Sequence, residues 1–357
     1  MKSCSGPAEG GPGSRPRILF VVMSAVAPPA TVDQLVRSLA PHTVLLHHDF
    51  SQSPDFRLEA SNAAFVPEPV RTGWATFGFV EGIFHALDHA VRHHEFDYLQ
   101  LLSPSCLPIK PIERFEAHVA QGMDAHFGAI DLVGDPDCLM SVGYRAFTPV
   151  GSLRHRILRR LASEYFARHR GRRDESGVWI HSGGGRGWKA AVARWAVDAA
   201  ARRTLGWHPF DRGFRPYYGS AWFGARRHVI RGMVRAFRRP VLRRWFSRLR
   251  IAEEFIIPSL LMRLTKTRGS LNHFISRFDQ AHPRKLGYQD LPELRASHAF
   301  FARKFPDDPQ APVRLRVLDE LARPGPAAAP RTSEAAAPPP HDVPAWGFGL
   351  AAAPRPT

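Results

Sequence analysis

Residues 17–23 read RILFVVM, and this run indicates the fold class of the chain. A continuous apolar run is typical of a strand that is covered on both faces, as in a parallel sheet. Thr31 is the predicted N-cap of a helix over residues 32–39, and helical periodicity recurs over residues 75–93. Further strands are predicted at residues 43–47, 64–66, 98–102 and 125–130. Alternating strands and helices predict an α/β domain with a parallel or mostly parallel sheet.

The charge of the chain favours an anionic partner. The 357 residues include 49 Lys and Arg against 32 Asp and Glu, which gives a net charge of +17. Nucleic acid, a phospholipid surface or a phosphorylated metabolite would each suit such a surface. Arginine supplies most of the positive charge, and its planar fork suits bidentate phosphate contacts. A GC-rich genome also enriches arginine and alanine, so it is an alternative explanation for part of the excess.

The chain reads as one ordered domain between two flexible ends. Residues 1–16 are rich in Gly, Ser and Pro, and residues 323–357 are rich in Pro and Ala, so both are predicted to be disordered. A single domain is predicted over residues 17–322. The three cysteines are scattered, which indicates neither a disulfide framework nor a zinc site. Neither a signal peptide nor a membrane span is apparent, and a cytoplasmic location is expected.

Polar residues follow the second predicted strand, at His47-His48-Asp49. Ligands of parallel sheets bind beyond the carboxyl ends of the strands, so this position is a candidate site. Adjacent side chains on an extended strand point in different directions, which disfavours a metal site. Asp49 either accepts hydrogen bonds from a nucleoside or belongs to a structural turn, and the sequence leaves both open.

The loop after the strand at residues 98–102 contains Ser103, Ser105 and Cys106. Metal-dependent nucleotide-sugar transferases usually carry Asp-x-Asp there to hold a divalent cation on the diphosphate. The Asp-x-Asp of this chain, at residues 135–137, is instead predicted to form a turn. No metal or other cofactor is therefore expected, and a departing diphosphate would need arginine or lysine.

Residues 219–255 combine the features of a substrate site. Gly219-Ser220-Ala221-Trp222-Phe223 opens the stretch, an arginine-rich segment follows, and Glu253-Glu254 stands before an apolar run. A carboxylate beside apolar side chains and guanidinium groups can be tuned to act as a base near neutral pH. The stretch therefore suggests an enzyme that acts on a phosphorylated donor. Arg277 and Lys304, each flanked by aromatic residues, are the candidate phosphate ligands.

The chain resembles the core-2/I-branching enzyme family, the inverting β-1,6-N-acetylglucosaminyltransferases that also include protein xylosyltransferases. The resemblance covers most of residues 17–320 and rests on blocks that occur in the same order. These blocks are residues 18–23, 47–49, 70–74, 101–110, 219–223, 252–255 and 300–305.

The resemblance implies a GT-A type, Rossmann-like glycosyltransferase fold with a mixed, mostly parallel central sheet and a reaction without metal. It implies that Glu254 is the general base and that Glu253 fills the preceding acidic position. Arg277 and Lys304 would contact the diphosphate of the donor, and Asp49 the nucleoside.

Further substrate contacts are expected from Ser103 after the fourth strand and from Ser220 and Trp222, which are predicted to form a wall of the pocket. Family members commonly have an aspartate where this chain has Cys106. The cysteine framework and membrane anchor of animal members are also missing. A bacterial, cytoplasmic relative with a different acceptor is therefore expected.

The expected reaction is transfer of N-acetylglucosamine from a UDP-sugar to a hydroxyl of a glycan or lipid-linked glycan acceptor. UDP-xylose is the alternative donor, because nothing in the sequence recognises the substituents of the sugar. A catalytically inactive, sugar-binding relative is a further alternative, against which the retained Glu254 and Lys304 speak.

Residues 226–250 interleave arginines with apolar residues, as in a basic amphipathic helix pair. Such a pair either lies on the anionic inner membrane or packs its apolar face on the core. Nucleic acid is not an expected partner, because no RNP, zinc-finger or helix-turn-helix signature is present. The glycine-rich residues 181–188 are predicted to form a mobile loop over the acceptor site, with a phosphate-binding loop as the alternative.

Overall fold

The computed structural model describes residues 15–135, 137–140, 152–165, 170–182, 187–205, 215–279 and 282–323. The ends that are predicted to be disordered, residues 1–16 and 323–357, lie almost wholly outside these described residues.

The strands are short, and they are numbered in chain order. They are β1 (Ile18–Ser24), β2 (Val44–His48), β3 (Ala63–Phe65), β4 (Tyr98–Leu102), β5 (Leu107–Pro108), β6 (Ala125–His126), β7 (Ala129–Asp131), β8 (Arg170–Arg173), β9 (Trp179–Ser182), β10 (Tyr217–Gly219), β11 (Gly224–Arg226), β12 (Arg268–Gly269), β13 (His273–Ile275), β14 (Phe278–Asp279), β15 (His282–Pro283) and β16 (Phe301–Arg303).

The helices are also numbered in chain order. They are α1 (Pro29–Ser38), α2 (Phe77–His93), α3 (Ile112–Ala120), α4 (Leu153–Tyr165), α5 (Trp188–Leu205), α6 (Arg227–Phe237), α7 (Pro240–Phe246), α8 (Glu253–Leu264), α9 (Leu291–Ala296) and α10 (Pro312–Glu320), with a 3-10 helix at Tyr288–Asp290. Among the described helices, none has the length and apolar character that a bilayer crossing needs.

A seven-stranded sheet forms the centre of the molecule, in the order β12-β6-β11-β4-β1-β2-β3. The neighbouring pairs β4-β1, β1-β2, β2-β3 and β12-β6 are parallel. The strand β11 runs antiparallel to both of its neighbours, β4 and β6. This topology confirms the prediction of an α/β fold with a mixed, mostly parallel central sheet.

The apolar run at residues 17–23 forms the buried strand β1 because both of its faces are covered. Leu19, Val21 and Met23 lie in one apolar cluster, which also contains side chains of α2, α6 and α8. Phe20 and Val22 lie in the other cluster, with side chains of α1 and α3. The two-residue period of a strand thus sends alternate side chains into separate cores.

The prediction of one strand over residues 125–130 is wrong. The chain forms β6 in the central sheet, leaves it at Phe127-Gly128, and forms β7, which pairs with β10. Glycine is required at the break, because a Cβ on Gly128 would lie 2.4 Å from Val178 Cγ2. Gly219 lies opposite Ala129 in the β7–β10 pair, and a Cβ there would lie 2.0 Å from the Gly128 carbonyl oxygen.

The predicted N-cap of the first helix is also wrong. The helix α1 begins at Pro29 with Pro28 as its N-cap, so Thr31 lies inside the first turn. Proline suits the first helical position because its fixed φ is helical and its missing N–H is not needed there. The Thr31 hydroxyl instead donates a hydrogen bond to the Asp307 carbonyl oxygen.

Candidate active site

The candidate site lies at the carboxyl edge of the parallel strands. The strands β1, β2 and β4 all end at this edge, at Ser24, His48 and Leu102. The antiparallel β11 begins there, because Gly224 lies opposite Gln100 and Phe223 accepts a hydrogen bond from Leu101 N. The Gly219–Phe223 turn is therefore brought to the edge where ligands of such sheets bind.

The loop after β4 is closed by contacts among its own side chains. Ser103 Oγ lies 3.0 Å from Ser105 Oγ and 3.1 Å from Cys106 Sγ, and Ser103 is buried. Ser105 O accepts a hydrogen bond of 2.9 Å from Phe305 N, which ties the loop to the segment after β16. The structure thus brings the Ser103 loop to the segment that carries Arg303 and Lys304.

Arg303 and Trp222 form a stacked pair at this edge. The guanidinium carbon of Arg303 lies 4.9 Å from the centre of the Trp222 ring, and Trp222 is buried. Ser220 Oγ accepts a hydrogen bond of 3.1 Å from Trp222 N, which fixes the turn. Arg303 Nε has no hydrogen-bond partner among the described residues. Burial lowers the pKa of Arg303, while Cys106 and Glu254 act to raise it, so both are its electrostatic neighbours.

Glu253 and Glu254, which we call the acid pair, begin α8. Glu253 is buried, and its Oε2 has no hydrogen-bond partner among the described residues. Burial, and then the neighbouring Glu254 carboxylate, raise the pKa of Glu253 to about 8. Glu254 is only half-buried. Adjacent carboxyl groups in such different surroundings divide the roles of proton holder and ionised group between them.

The two predicted phosphate ligands follow adjacent strands. The strands β13 and β16 are parallel, with Ile275 opposite Arg303, and Ser276 N donates a hydrogen bond of 2.8 Å to Arg303 O. Arg277 and Lys304 therefore both lie just beyond the same end of this small sheet. Arg277 is exposed and Lys304 is half-buried.

A further cation, Arg173, lies beside Arg277. Burial lowers the pKa of Arg173, and the charge of Arg277 lowers it further, while Glu293 opposes the shift. The Arg173 guanidinium carbon lies 4.5 Å from the centre of the Phe274 ring, and Nη2 donates a hydrogen bond of 2.6 Å to Ile275 O. Sequence reasoning missed this residue, because its approach to Arg277 depends entirely on tertiary structure.

Sequence reasoning also passed over Arg303 in favour of its neighbour Lys304. Alternation along a strand indicates that adjacent residues face opposite sides, but it does not indicate which of the two faces Trp222. The structure gives that position to Arg303.

Asp49 is held by five hydrogen bonds from protein groups. Its Oδ1 accepts from Ser51 N and Oγ, and its Oδ2 accepts from Gln52 Nε2, Thr72 N and Thr72 Oγ1, at 2.6–3.1 Å. Burial alone would raise the pKa of Asp49, but these bonds outweigh it and hold the pKa well below its usual range. The described contacts are those of a structural turn; a nucleoside contact stays a prediction.

The two histidines before Asp49 have different surroundings. His48 Nδ1 lies 2.7 Å from Ser24 Oγ, and its ring stacks on Phe56. His47 is buried edge-to-face with His85, and neither ring nitrogen has a hydrogen-bond partner among the described residues. Burial lowers the pKa of His47 to about 4, so it is neutral near pH 7.

Two other predicted segments are described only in part. In the Asp-x-Asp at residues 135–137, Asp135 Oδ1 accepts a hydrogen bond of 2.9 Å from Cys138 N, and Pro136 lies outside the described residues. In the glycine-rich loop, residues 183–186 also lie outside them.

The apolar side chains of residues 226–250 pack into the core. The helices α6 and α7 bury Val229, Ile230, Met233, Val234, Phe237, Leu242, Trp245 and Phe246. Val241 is exposed, and Leu249 is buried. The packing is that of a helix pair on the core, the second of the two interpretations that the sequence left open. This apolar face is not available to enter a membrane.

Comparisons with known proteins give distant structural similarities, of which two are described. No protein-family model matches the chain, and no curated protein matches it significantly. A solved structure of the apo WbbM bifunctional glycosyltransferase aligns with 86% of this chain and 52% of its own, at 6% identity and a TM-score of 0.37. A197 from STIV aligns with 32% of this chain and 47% of its own, at 19% identity and a TM-score of 0.21. This chain thus spans about half the length of each, and both similarities are too weak to establish a shared fold.

The contacts of Asp49 predict a structural cost for Asp49→Asn. The amide would point N–H donors at groups that now donate to Asp49, so we expect the free energy of unfolding to fall by about 1–3 kcal/mol in urea denaturation. Asp55→Asn, at an exposed position in the same loop, is the matched control. Unchanged stability together with weaker UDP binding in calorimetry would make Asp49 a ligand contact instead.

The buried carboxyl of Glu253 predicts a pH-dependent stability. The fold holds this proton up to a pKa of about 8, whereas the unfolded chain releases it near 4.5, so stability falls as pH rises between these values. Glu253→Gln keeps the neutral shape of the side chain and removes this loss. We expect the variant to be the more stable protein above pH 8 in urea denaturation across a pH series. If the free energy of unfolding changed with pH in the same way for both proteins, Glu253 would not be the group that holds the proton.

Proposed function

We propose that the protein is an inverting, metal-independent glycosyltransferase of the GT-A type, related to the core-2/I-branching enzymes. It would move N-acetylglucosamine from UDP-GlcNAc to a hydroxyl of a glycan acceptor, with UDP-xylose as the alternative donor. One observation carries the proposal: Glu254, in the first turn of α8, is an electrostatic neighbour of Arg303, which lies over the Trp222 ring at the carboxyl edge of the sheet. A carboxylate and a cation thus converge where ligands of such sheets bind.

In this proposal Glu254 acts as the general base. It takes the proton of an acceptor hydroxyl, the oxygen attacks the anomeric carbon in line, and the bond to the UDP oxygen breaks with inversion. The electron pair of that bond leaves with the β-phosphate of UDP. Glu253 keeps its own proton near neutral pH and so adds no second negative charge beside the base.

The departing UDP gains negative charge on the diphosphate, which cations must stabilise. Arg277 and Lys304 are proposed for this role, because both follow the same end of the paired strands β13 and β16. Arg173 adds a third positive charge next to Arg277. Ser103, Ser220 and Trp222 would line the donor pocket, and Asp49 supports the neighbouring turn.

Glu254→Gln is the direct test of the reaction. The amide cannot accept a proton, so we expect the rate of UDP release with UDP-GlcNAc and a panel of glycan acceptors to fall by about 10²- to 10⁴-fold. Lys304→Ala should also lower kcat, and EDTA should leave the wild-type rate unchanged. UDP-xylose in the same assay decides between the donors.

Glu59→Gln is the control, because the Glu59 side chain is 90% exposed. A Glu254→Gln variant that transfers sugar at the wild-type rate would remove Glu254 from the mechanism. Strict dependence on Mn²⁺ would count equally against the metal-free scheme.

We also propose that the protein contacts anionic membranes through α5, where lipid-linked acceptors would be met. Trp188 and Trp195 are each 73% exposed, and Val192 between them is 45% exposed. Spacings of four and seven residues place the three side chains on one face of the helix. Lys189 and Arg194 are exposed on the same helix, so aromatic anchors and positive charge occur together, as in interfacial helices.

The double variant Trp188→Ala/Trp195→Ala tests this contact. We expect the wild-type protein to sediment with phosphatidylglycerol vesicles, less so in high salt, and the double variant to stay in solution. Tyr288→Ala, which removes an exposed aromatic side chain elsewhere, is the control. Equal sedimentation of all three proteins would place the contact elsewhere.

A further inference from the structure

An open cavity of about 380 Å³ lies between two segments that the proposed mechanism does not use. One wall is formed by residues 74–77, which lead into α2, and the other by residues 247–250, which follow α7. We call this space the Trp74 cavity. Its volume is within the range of small-molecule sites in proteins.

The lining of the Trp74 cavity combines an aromatic ring with two cations. Trp74 is 69% exposed, and the guanidinium carbon of Arg250 lies 5.2 Å from the centre of its ring. Arg248 is the second cation, and the hydroxyls of Thr76 and Ser247 complete the polar part of the lining. The cavity therefore offers one flat apolar surface beside positive charge and hydrogen-bonding groups.

Neither of the two cavity arginines forms an ion pair within the described part of the chain. Other arginines of the same arginine-rich segment do, because Arg238 pairs with Asp88 and Arg243 with Glu81. Among the described residues, the guanidinium N–H groups of Arg248 and Arg250 therefore have no carboxylate partner and suit an external anion. Arginine is the side chain best suited to bind a carboxylate or phosphate with two parallel hydrogen bonds.

The backbone on both walls is held in an unusual conformation. Ala75 has a φ of 60° and Ile251 a φ of 55°, which is the left-handed region that favours glycine. A β-branched residue is rare there, and such strain is concentrated at functional sites. Each of the two follows a cavity residue directly, Trp74 in one case and Arg250 in the other.

The Trp74 cavity is also continuous in sequence with the acid pair. Arg250 and Ile251 lead into Ala252, and Glu254 N donates a hydrogen bond of 3.2 Å to Ile251 O. Arg250 comes three residues before Glu253, the first residue of α8, so a molecule that binds Arg250 would lie near the first turn of α8. That is the place from which an acceptor hydroxyl must reach the base.

We propose that the Trp74 cavity binds the acceptor, and that the acceptor is an acidic saccharide with a carboxylate or phosphate group. This inference rests on the proposed glycosyl transfer and adds the acceptor class to it. The C–H face of a pyranose ring packs on the Trp74 ring, and the anionic group binds Arg248 and Arg250. A neutral sugar would keep the ring contact and lose the ionic one.

The test is isothermal titration calorimetry on the full chain, with and without UDP. The carboxylate probe is a tetrasaccharide of alternating glucuronic acid and N-acetylglucosamine, compared with its carboxyl-reduced counterpart. The phosphate probe is glucose 6-phosphate, compared with glucose. We expect at least one acidic probe to bind at least about tenfold more tightly than its neutral partner, which corresponds to about 1.4 kcal/mol. The probe that does so identifies the anionic group.

Two variants test the cationic part and the aromatic part of the cavity separately. Arg248→Gln/Arg250→Gln should abolish the preference for the acidic probe, and Trp74→Ala should weaken acidic and neutral probes alike. Arg244→Gln and Tyr288→Ala, both at exposed positions outside the cavity, should bind as the wild type does. Urea denaturation of each variant confirms that it is folded.

Equal affinity for acidic and neutral partners, or no binding of any probe with or without UDP, would overturn the proposal. An acidic preference that survives in Arg248→Gln/Arg250→Gln would also overturn it, since the anion would then bind elsewhere. Absence of UDP binding and of UDP release would instead count against the proposed transfer reaction. Binding of a probe without UDP does not require a donor, so the two failures can be distinguished.

Discussion

Burial of the central strands on both faces is the constraint on which the rest of the structure depends. A strand between two apolar cores cannot carry charged side chains along its length, because an unpaired buried charge is too costly. Polar groups therefore collect at the ends of β1, β2 and β4, where Ser24, His48 and Ser103 lie. The location of the candidate site is thus a consequence of how the sheet is covered.

One polar side chain does lie in the middle of the sheet, and it links the parts of the site. Gln100 is fully buried in β4, and its Nε2 donates a hydrogen bond of 2.9 Å to Phe223 O. Its Oε1 accepts a hydrogen bond of 2.7 Å from Asn272 Nδ2. Gln100 thereby holds the residue after Trp222 and the residue before β13 against the same strand. Loss of this amide would leave buried partners unsatisfied and loosen both segments at once.

The parts of the structure that the sequence predicts are those that depend on local pattern. The strand at residues 98–102 and the helix that ends at residue 93 follow from apolar periodicity, and the structure has β4 and α2 there. The break at Gly128 does not follow from periodicity, because it depends on the pairing of β7 with β10 and on the close approach of Val178. The approach of Arg173 to Arg277 likewise requires β8 and β13 to be placed in space first. For the same reason the residue types of the candidate site could be named from the sequence, but their contacts could not.

The positive charge of the chain has more than one physical role, and only part of it can be used to infer an anionic partner. Arg227 donates hydrogen bonds to Val91 O and His94 O at the end of α2, and Arg226 to Val119 O at the end of α3. Cations at these positions donate hydrogen bonds to carbonyl oxygens that lack a partner within the helix, and their charge opposes the helix dipole. Arg314 is fully buried and donates to Gln34 Oε1 at 2.6 Å. Arginines of this kind are part of the fold, so the net charge overstates the surface that is open to an anion. The charge that matters for recognition is the smaller set of arginines that form no ion pair among the described residues, and Arg248 and Arg250 of the Trp74 cavity belong to that set.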